Sequence, residues 1–207
     1  MKHPAAKEKK RPVKELRDQL RRGQIVSAAQ NCVVRHGFHA ASMGQIAAEA
    51  QMSVGQIYRY FPSKESIIHA IVERIVAKRL QWMLNREKQV NFAAVFAQRG
   101  HFRPGDEDDR ILMLEITAEA TRNSAVAEIV READRRIRSQ AVTLVRADYP
   151  ELTEREAAAR VELMSVLAEG TASRYVTEQV IDPELMEHIY ADTLRKLFPR
   201  MTTSKLG

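Results

Sequence analysis

Apolar residues recur every three to four positions along most of the chain, which is the period of an α-helix. The clearest example is the segment from Lys64 to about Lys88. No stretch shows the alternating pattern of a half-buried strand, and the hairpin dipeptides Asn-Gly and Asp-Gly do not occur in the sequence. The pattern therefore predicts an all-α protein. The apolar positions of the Lys64 segment are Ile67, Ile68, Ile71, Val72, Ile75, Val76, Leu80 and Met83.

Capping and breaking residues divide the chain into about nine predicted helices. Ser42, Ser53 and Ser63 are suited to helix N-termini, whereas Gly37 and Pro62 are suited to end helices. The predicted segments run from Leu16 or Arg21 to His36, Met43 to Ala50, Val54 to Tyr60, Lys64 to Lys88, Asn91 to Gln98, Arg110 to Arg122, Ser124 to Ala147, Thr153 to Gln179 and Pro183 to Phe198.

Two short predicted helices, separated by the turn Gln51-Met52-Ser53, follow a longer helix near the N-terminus. This is the helix-turn-helix arrangement, in which the second short helix enters the DNA major groove. The chain is therefore expected to hold a basic flexible arm over residues 1–20, a three-helix DNA-binding module over 21–66 and a larger helical domain over 67–200.

The charge distribution supports a polyanionic partner. Residues 1–62 carry eleven Lys and Arg against four acids, a net charge of +7, whereas the remaining residues carry 22 bases against 23 acids. The arm residues Lys9, Lys10, Arg11 and Lys14 could reach phosphates or the minor groove. A solubilising tail is the alternative interpretation.

The motifs of this region resemble those of a known family. They are Arg22-Gly23-Gln24-Ile25-Val26-Ser27-Ala28-Ala29, then His36-Gly37-Phe38, then Ala41-Ser42-Met43-Gly44-Gln45-Ile46-Ala47, and then Ser53-Val54-Gly55-Gln56-Ile57-Tyr58-Arg59-Tyr60-Phe61-Pro62-Ser63-Lys64-Glu65. In order and spacing, this stretch resembles the TetR family of bacterial transcriptional regulators. The departure is Gln51-Met52, where the family commonly has Gly-Val; Gln51 would need a left-handed backbone conformation at modest cost.

The resemblance implies an N-terminal DNA-binding module and a helical body for ligand binding and dimerisation. A dimer would bind a palindromic double-stranded operator, usually as a repressor, until a small-molecule effector releases it. The residues implied to contact DNA are Ser42, Ser53, Val54, Gln56, Tyr58, Arg59, Tyr60 and Lys64. The two serines could instead be helix caps alone, and one of the two tyrosines could belong partly to the core.

Two carboxylates in the body suggest the class of effector. On the helical wheel, Glu115 and Glu119 fall within an apolar arc, where an unpaired carboxylate is costly. They could bind a cationic, partly apolar ligand, or they could pair with Arg122, Arg99 or Arg103. The residues expected to form the walls of such a pocket are Trp82, Phe92, Phe96 and Met113.

The last two predicted helices are amphipathic, which suggests a two-fold four-helix dimer interface. Their apolar positions could instead fill the core of one subunit. These positions are Leu163, Met164, Leu167, Thr171 and Tyr175 on one helix, and Met186, Ile189, Tyr190, Leu194 and Leu197 on the other.

Other functions lack support in the sequence. An enzyme is not expected, because there is no Gly-rich phosphate loop, nucleophile elbow or metal-ligand spacing. No cofactor or metal is expected, and no apolar run is long enough to span a membrane. The lone Cys32 suits a small buried residue in a cytoplasmic protein. The main alternative is a sequence-nonspecific architectural nucleic-acid-binding protein without an effector.

Overall fold

The computed structural model describes residues 13–85, 92–97, 107–174, 177 and 181–200. Within these ranges it contains nine helices and no strand, which confirms the predicted all-α class. The helices are α1 (Val13–Ala40), α2 (Met43–Glu49), α3 (Val54–Tyr60), α4 (Lys64–Leu84), α5 (Phe92–Ala97), α6 (Glu107–Ala120), α7 (Ser124–Asp148), α8 (Glu154–Ser173) and α9 (Pro183–Leu197).

The chain divides into two compact units, Met1–Ala70 and Ile71–Gly207, with the boundary inside α4. In the N-terminal unit, α1 packs against α2, and α2 packs against α3. The short helices each bury one isoleucine, Ile46 in α2 and Ile57 in α3. Other buried side chains of this unit are Ile25, Ala29, Val33, Phe38, Phe61 and Ile67.

The start of α1 corrects the expected extent of the flexible arm. The helix begins at Val13, so residues 13–20 are helical, whereas residues 1–12 lie outside the described ranges. Lys14, Glu15, Leu16 and Arg17 are good helix formers, and Pro12 comes just before Val13, the first residue of the helix. At the other end, Gly37 leaves helical geometry with a φ of 78°, as its predicted role requires.

Two apolar clusters form in the second unit. Ala93 and Phe96 of α5 pack with Leu194 of α9, and Tyr149, Leu152, Ala157 and Phe198 form the other cluster. Partly buried residues of α8 and α9 complete the first cluster, namely Met164, Leu167, Ala168, Tyr190 and Ala191. The helices of this unit are therefore joined by apolar packing between distant parts of the sequence.

Some helix ends differ from the prediction. Helix α6 begins at Glu107 and not at Arg110, so the acidic residues 107–109 lie in its first turn, where the helix dipole favours negative charge. Helix α8 ends at Ser173, before the predicted Gln179. Helix α4 ends at Leu84, and residues 86–88 of its predicted end lie outside the described ranges.

Candidate functional site

Helices α2 and α3 begin with the same side-chain cap. In α2 the Ser42 N–H donates to Gln45 Oε1 at 2.9 Å, and the Gln45 N–H donates to Ser42 Oγ at 3.2 Å. In α3 the Ser53 N–H donates to Gln56 Oε1 at 2.9 Å, and the Gln56 N–H donates to Ser53 Oγ at 3.2 Å. Each is a capping box, which satisfies backbone donors at the helix start.

The turn between α2 and α3 is a Schellman motif. The Met52 N–H donates to Ala47 O at 2.9 Å, and the Gln51 N–H donates to Ala48 O at 3.0 Å. Gln51 has a φ of 53°, the left-handed conformation expected for it. The turn is thus formed with a glutamine at a position that favours glycine.

Side chains of α1 satisfy the carbonyl ends of both short helices. Gln24 Nε2 donates to Ala50 O at 2.8 Å at the end of α2. Arg22 Nη1 donates to Tyr60 O at 2.6 Å at the end of α3, and its guanidinium lies 4.2 Å from the centre of the Phe61 ring. Helix α1 therefore supplies a donor to a carbonyl at the end of each short helix.

Apart from the side that carries the buried Ile57, most of α3 is open to solvent. Val54 and Tyr58 are 42% and 51% exposed, and Gln56 and Arg59 are also exposed. Tyr60 is half-buried, and its hydroxyl lies 3.4 Å from Asp18 Oδ1 in α1. Of the two tyrosines, Tyr58 thus lies on the outward side and Tyr60 faces α1.

Lys64 lies at the start of α4 but turns toward the loop after α1. Its ammonium donates to Phe38 O and lies 4.0 Å from the centre of the Phe38 ring. A phosphate contact, the role that the resemblance implies, would have to compete with these interactions.

The predicted effector residues lie on three helices of the second unit. Trp82 in α4 is half-buried, as are Met113 and Glu115 in α6. The Phe92 side chain lies outside the described residues. Phe96 is buried, and its ring centre lies 5.5 Å from that of Tyr190, so it belongs to the apolar cluster with α9.

Glu119 forms the ion pair that was the alternative to ligand binding. Its side chain is buried, and Oε2 accepts from Arg122 Nε and Nη2 at 2.7 Å. Asn123 Nδ2 approaches Oε1 at 3.4 Å. The charge of the buried Glu119 carboxylate is therefore balanced by Arg122, which lies just past the end of α6.

An open groove of about 440 Å³ lies between α4 and α7. Arg136 beside it pairs with Glu73, and Arg135 pairs with Glu132 at 2.7 Å. The groove is lined by Leu80, Glu132, Arg135, Arg136, Ser139 and Gln140, and none of them belongs to the predicted effector set.

The predicted dimer face is divided between core and surface. Leu163 of α8 and Ile189 of α9 are exposed, but five of the named residues pack within the unit: Met164, Leu167, Tyr190, Leu194 and Leu197. Tyr175 lies outside the described residues. An exposed apolar surface remains, formed by Leu163 and Val166 of α8 with Leu185 and Ile189 of α9. We refer to these four residues as the apolar surface of α8 and α9.

Cys32 is buried in α1, and burial, followed by the nearby Glu49, raises the pKa of its thiol. Among the described residues, no group of His, Cys, Asp and Glu is arranged to hold a metal ion. No helix in the described ranges is long and apolar enough to cross a membrane.

Two features of this region are not predicted from the sequence. One is the capping role of Gln45 and Gln56, and the other is the pair of hydrogen bonds from Arg22 and Gln24 to carbonyls at the helix ends. The glutamines could have been found, because Ser-x-x-Gln before an apolar run is the signature of a capping box. The hydrogen bonds from α1 have no such signal in the sequence, because Arg22 donates to a carbonyl that lies 38 positions further along the chain.

Two family models match the chain. Residues 25–71 match the model for bacterial regulatory proteins of the tetR family, and residues 92–199 match that for the C-terminal part of BetI-type transcriptional repressors. The second match alone spans more than half of the 207 residues. The chain belongs to the tetR family of bacterial regulatory proteins. Because this family consists of regulators and not enzymes, membership confirms the expectation that the chain is not an enzyme.

Individual relatives agree with this assignment. The transcriptional regulator UidR of Escherichia coli strain K12 is 31% identical over 114 residues, which cover 53% of this chain and 57% of UidR. The match thus spans little more than half of that relative. The structure of Salmonella enterica GusR is 26% identical, covers 88% of this chain and 95% of its own, and superposes with a TM-score of 0.67.

A regulator from Saccharomonospora viridis, solved in complex with choline, shares the fold at a TM-score of 0.66. It is 18% identical and covers 86% of this chain and 96% of its own.

Proposed function

We propose that this tetR-family chain is a ligand-responsive transcriptional repressor that binds a palindromic operator as a homodimer. The observation that carries the proposal is the geometry of α2 and α3. The two helices are capped, joined by a fixed turn and fastened to α1, while the outward face of α3 carries Tyr58 and Arg59. This face suits entry into the major groove.

Binding to DNA flanking the protein's own gene tests the proposal, with excess nonspecific DNA as competitor. Tyr58→Ala removes an exposed side chain of α3, and Leu20→Ala, in the exposed part of α1, is the matched control. We expect a shift that resists the competitor and is lost with Tyr58→Ala alone. If that DNA is not shifted, operators would be selected from random sequences.

Failure to enrich any sequence would contradict the proposal. Binding that the competitor removes equally from all three proteins would instead favour the nonspecific architectural alternative. Such binding comes from phosphate contacts and depends on charge but not on sequence.

The proposed dimer interface is the apolar surface of α8 and α9. Four large apolar side chains, each at least 43% exposed, lie at spacings of three and four residues, which places them on one side of each helix. Gly170 extends the row on α8, and a Cβ added there would meet no atom within 4 Å. A second copy would remove these side chains from water.

Light scattering tests this interface. We expect the wild-type protein to be a dimer at micromolar concentration and Leu163→Glu to dissociate it. Leu84→Glu, at another exposed leucine, is the control and should leave the dimer intact. A wild-type monomer, or a dimer that survives Leu163→Glu as well as the control, would contradict the interface.

The proposed effector is cationic and partly apolar and binds in the second unit near Glu115 or Glu119. The choline complex of the Saccharomonospora viridis regulator, which shares the fold, supports this class. Because Glu119 already pairs with Arg122, a ligand at Glu119 would have to share its carboxylate with Arg122 or displace that ion pair.

Melting curves with choline and with 3,3-dimethylbutanol, a neutral molecule of the same shape, test the charge of the effector. We expect choline alone to raise the melting temperature, and Glu115→Gln or Glu119→Gln to abolish the rise. Glu128→Gln, on the exposed face of α7, is the control. Equal effects of the charged and neutral compounds would contradict a carboxylate-centred site.

A further inference from the structure

The amide of Gln56 is directed toward the start of α3. Its Oε1 accepts from the Ser53 N–H at 2.9 Å, and it lies 3.3 Å from Ser53 Oγ. Reading adenine requires the amide oxygen and nitrogen of a glutamine to reach the edge of one base together. For Gln56 that would mean leaving the cap and exposing the Ser53 N–H without its partner.

Helix α2 shows that capping explains this arrangement fully. Gln45 Oε1 has the same contacts with Ser42: it accepts from the Ser42 N–H at 2.9 Å and lies 3.2 Å from Ser42 Oγ. Both boxes come from the same local sequence, Ser-x-Gly-Gln-Ile. The box in α2 belongs to a helix that is not the proposed recognition helix, so its formation needs no role in base reading.

The outward direction of α3 is set by Ile57, which is fully buried. At 100° per residue, Gly55 and Arg59 both lie within about 20° of the direction opposite Ile57. A Cβ added at Gly55 would meet nothing within 4 Å, and Arg59 is exposed. Since helical side chains lean toward the N-terminus, the Arg59 side chain can extend over the space that Gly55 leaves.

We infer that Arg59 is the residue of α3 that selects a guanine in each half-site, and that Gln56 caps the helix without reading a base. Arginine can bond O6 and N7 of guanine together, the commonest specific contact in the major groove. Gly55 allows the base edges to approach this part of the helix. This inference rests on the proposed function, because it assumes that α3 enters the groove of an operator.

Selection of binding sites from random DNA tests the inference. The wild-type protein is compared with Arg59→Ala, Arg59→Lys, Gln56→Ala, Gln56→Glu and Gln45→Ala. Gln45→Ala is the matched control, because it removes the same cap from α2. Gln56→Glu keeps a capping acceptor and guards against unfolding of the alanine variant.

We expect the wild type and all Gln45 and Gln56 variants to enrich the same sequence. Arg59→Ala should lose the preference for guanine at one position of each half-site, a loss of about 10- to 100-fold in discrimination. Arg59→Lys should keep DNA affinity at low salt but weaken that preference, because an ammonium lacks the two-pronged geometry. Gln45→Ala and Gln56→Ala should lower the melting temperature alike, by about 2–4 °C.

Two results would overturn the inference. One is a changed base preference in both Gln56 variants at a position that Gln45→Ala leaves unchanged. The other is a wild-type preference retained in full by Arg59→Ala. If the wild type itself enriches no sequence, the proposed function is wrong and the inference falls with it, which distinguishes the two failures.

Discussion

The two units of the chain hold their helices in different ways. In the N-terminal unit, α2 and α3 have seven residues each, and side chains bond directly to their ends. Each begins with a capping box. Gln24 of α1 donates to a carbonyl at the end of α2, and Arg22 of α1 donates to a carbonyl at the end of α3.

In the second unit, the helices α7, α8 and α9, of 15 to 25 residues, pack through apolar clusters that also hold the six-residue α5. Many of their ion pairs join exposed side chains of one helix, as in Arg131 and Glu128 of α7. Such exposed pairs typically contribute less than about 1 kcal/mol.

The difference follows from helix length. Isolated helices shorter than about 12–15 residues are marginal in water, because nucleation is costly and few bonds follow it. A seven-residue helix has too few internal bonds to lose any of its terminal ones. The capped ends of α2 and α3 therefore help to hold the surface that we propose reads DNA, whereas a long helix keeps most of its internal bonds when one end opens.

The largest expected effect comes from the core of the N-terminal unit. Ile57→Ala empties a site with no solvent exposure, and we expect it to lower the free energy of unfolding by about 2–5 kcal/mol. Leu20→Ala, at a residue that is 67% exposed, should cost less than about 0.5 kcal/mol. Urea denaturation followed by circular dichroism measures both. Equal costs would show that α3 is not anchored by Ile57.

Arg22→Ala is expected to have the next largest effect. It removes the bond to Tyr60 O and the contact with the Phe61 ring, and should cost about 1–2 kcal/mol. Arg131→Ala breaks an exposed ion pair in α7 and should cost less than about 0.5 kcal/mol. The same denaturation experiment compares them, and a larger cost for Arg131→Ala would reverse the contrast between the units.

Removing a cap should affect a short helix more widely than a long one. Ser42→Ala and Thr153→Ala each delete a hydroxyl that accepts from a backbone N–H in a capping box, at a cost of about 1 kcal/mol. By hydrogen exchange, we expect Ser42→Ala to speed exchange throughout α2, and Thr153→Ala to speed it in the first turn of α8 alone. Faster exchange along the whole of α8 would contradict the argument from length.

The smallest expected effect is a gain in stability. Gln51→Gly relieves a left-handed conformation but adds freedom to the unfolded chain, and we expect a net stabilisation of about 0.5 kcal/mol. The melting temperature should rise by about 1–2 °C. A lower melting temperature would mean that the glutamine side chain contributes more than its backbone conformation costs.

What the sequence predicts well is local. Ser42 and Ser53 cap helices because their own neighbours supply the N–H groups, and Ile46 and Ile57 are buried because two short helices offer few other apolar side chains. These features depend on contacts within a few residues. The helix-turn-helix and its outward face could therefore be predicted from the amino-acid sequence alone.

Features that depend on distant contacts were predicted less well. The pair Glu119 and Arg122, three residues apart, was foreseen as an alternative. The burial of Phe96 against Tyr190 was not, because helical periodicity shows which side of a helix is apolar but not which helix covers it. For the same reason, much of the predicted dimer face belongs to the core of the unit.

Hydrogen exchange with and without a selected operator tests most directly whether α3 reads DNA. We expect operator binding to slow exchange at the starts of α2 and α3 and along α3, and nonspecific DNA at the same saturation to slow α3 much less. An operator that leaves exchange in α3 unchanged, or slows it no more than nonspecific DNA does, would contradict recognition by this helix.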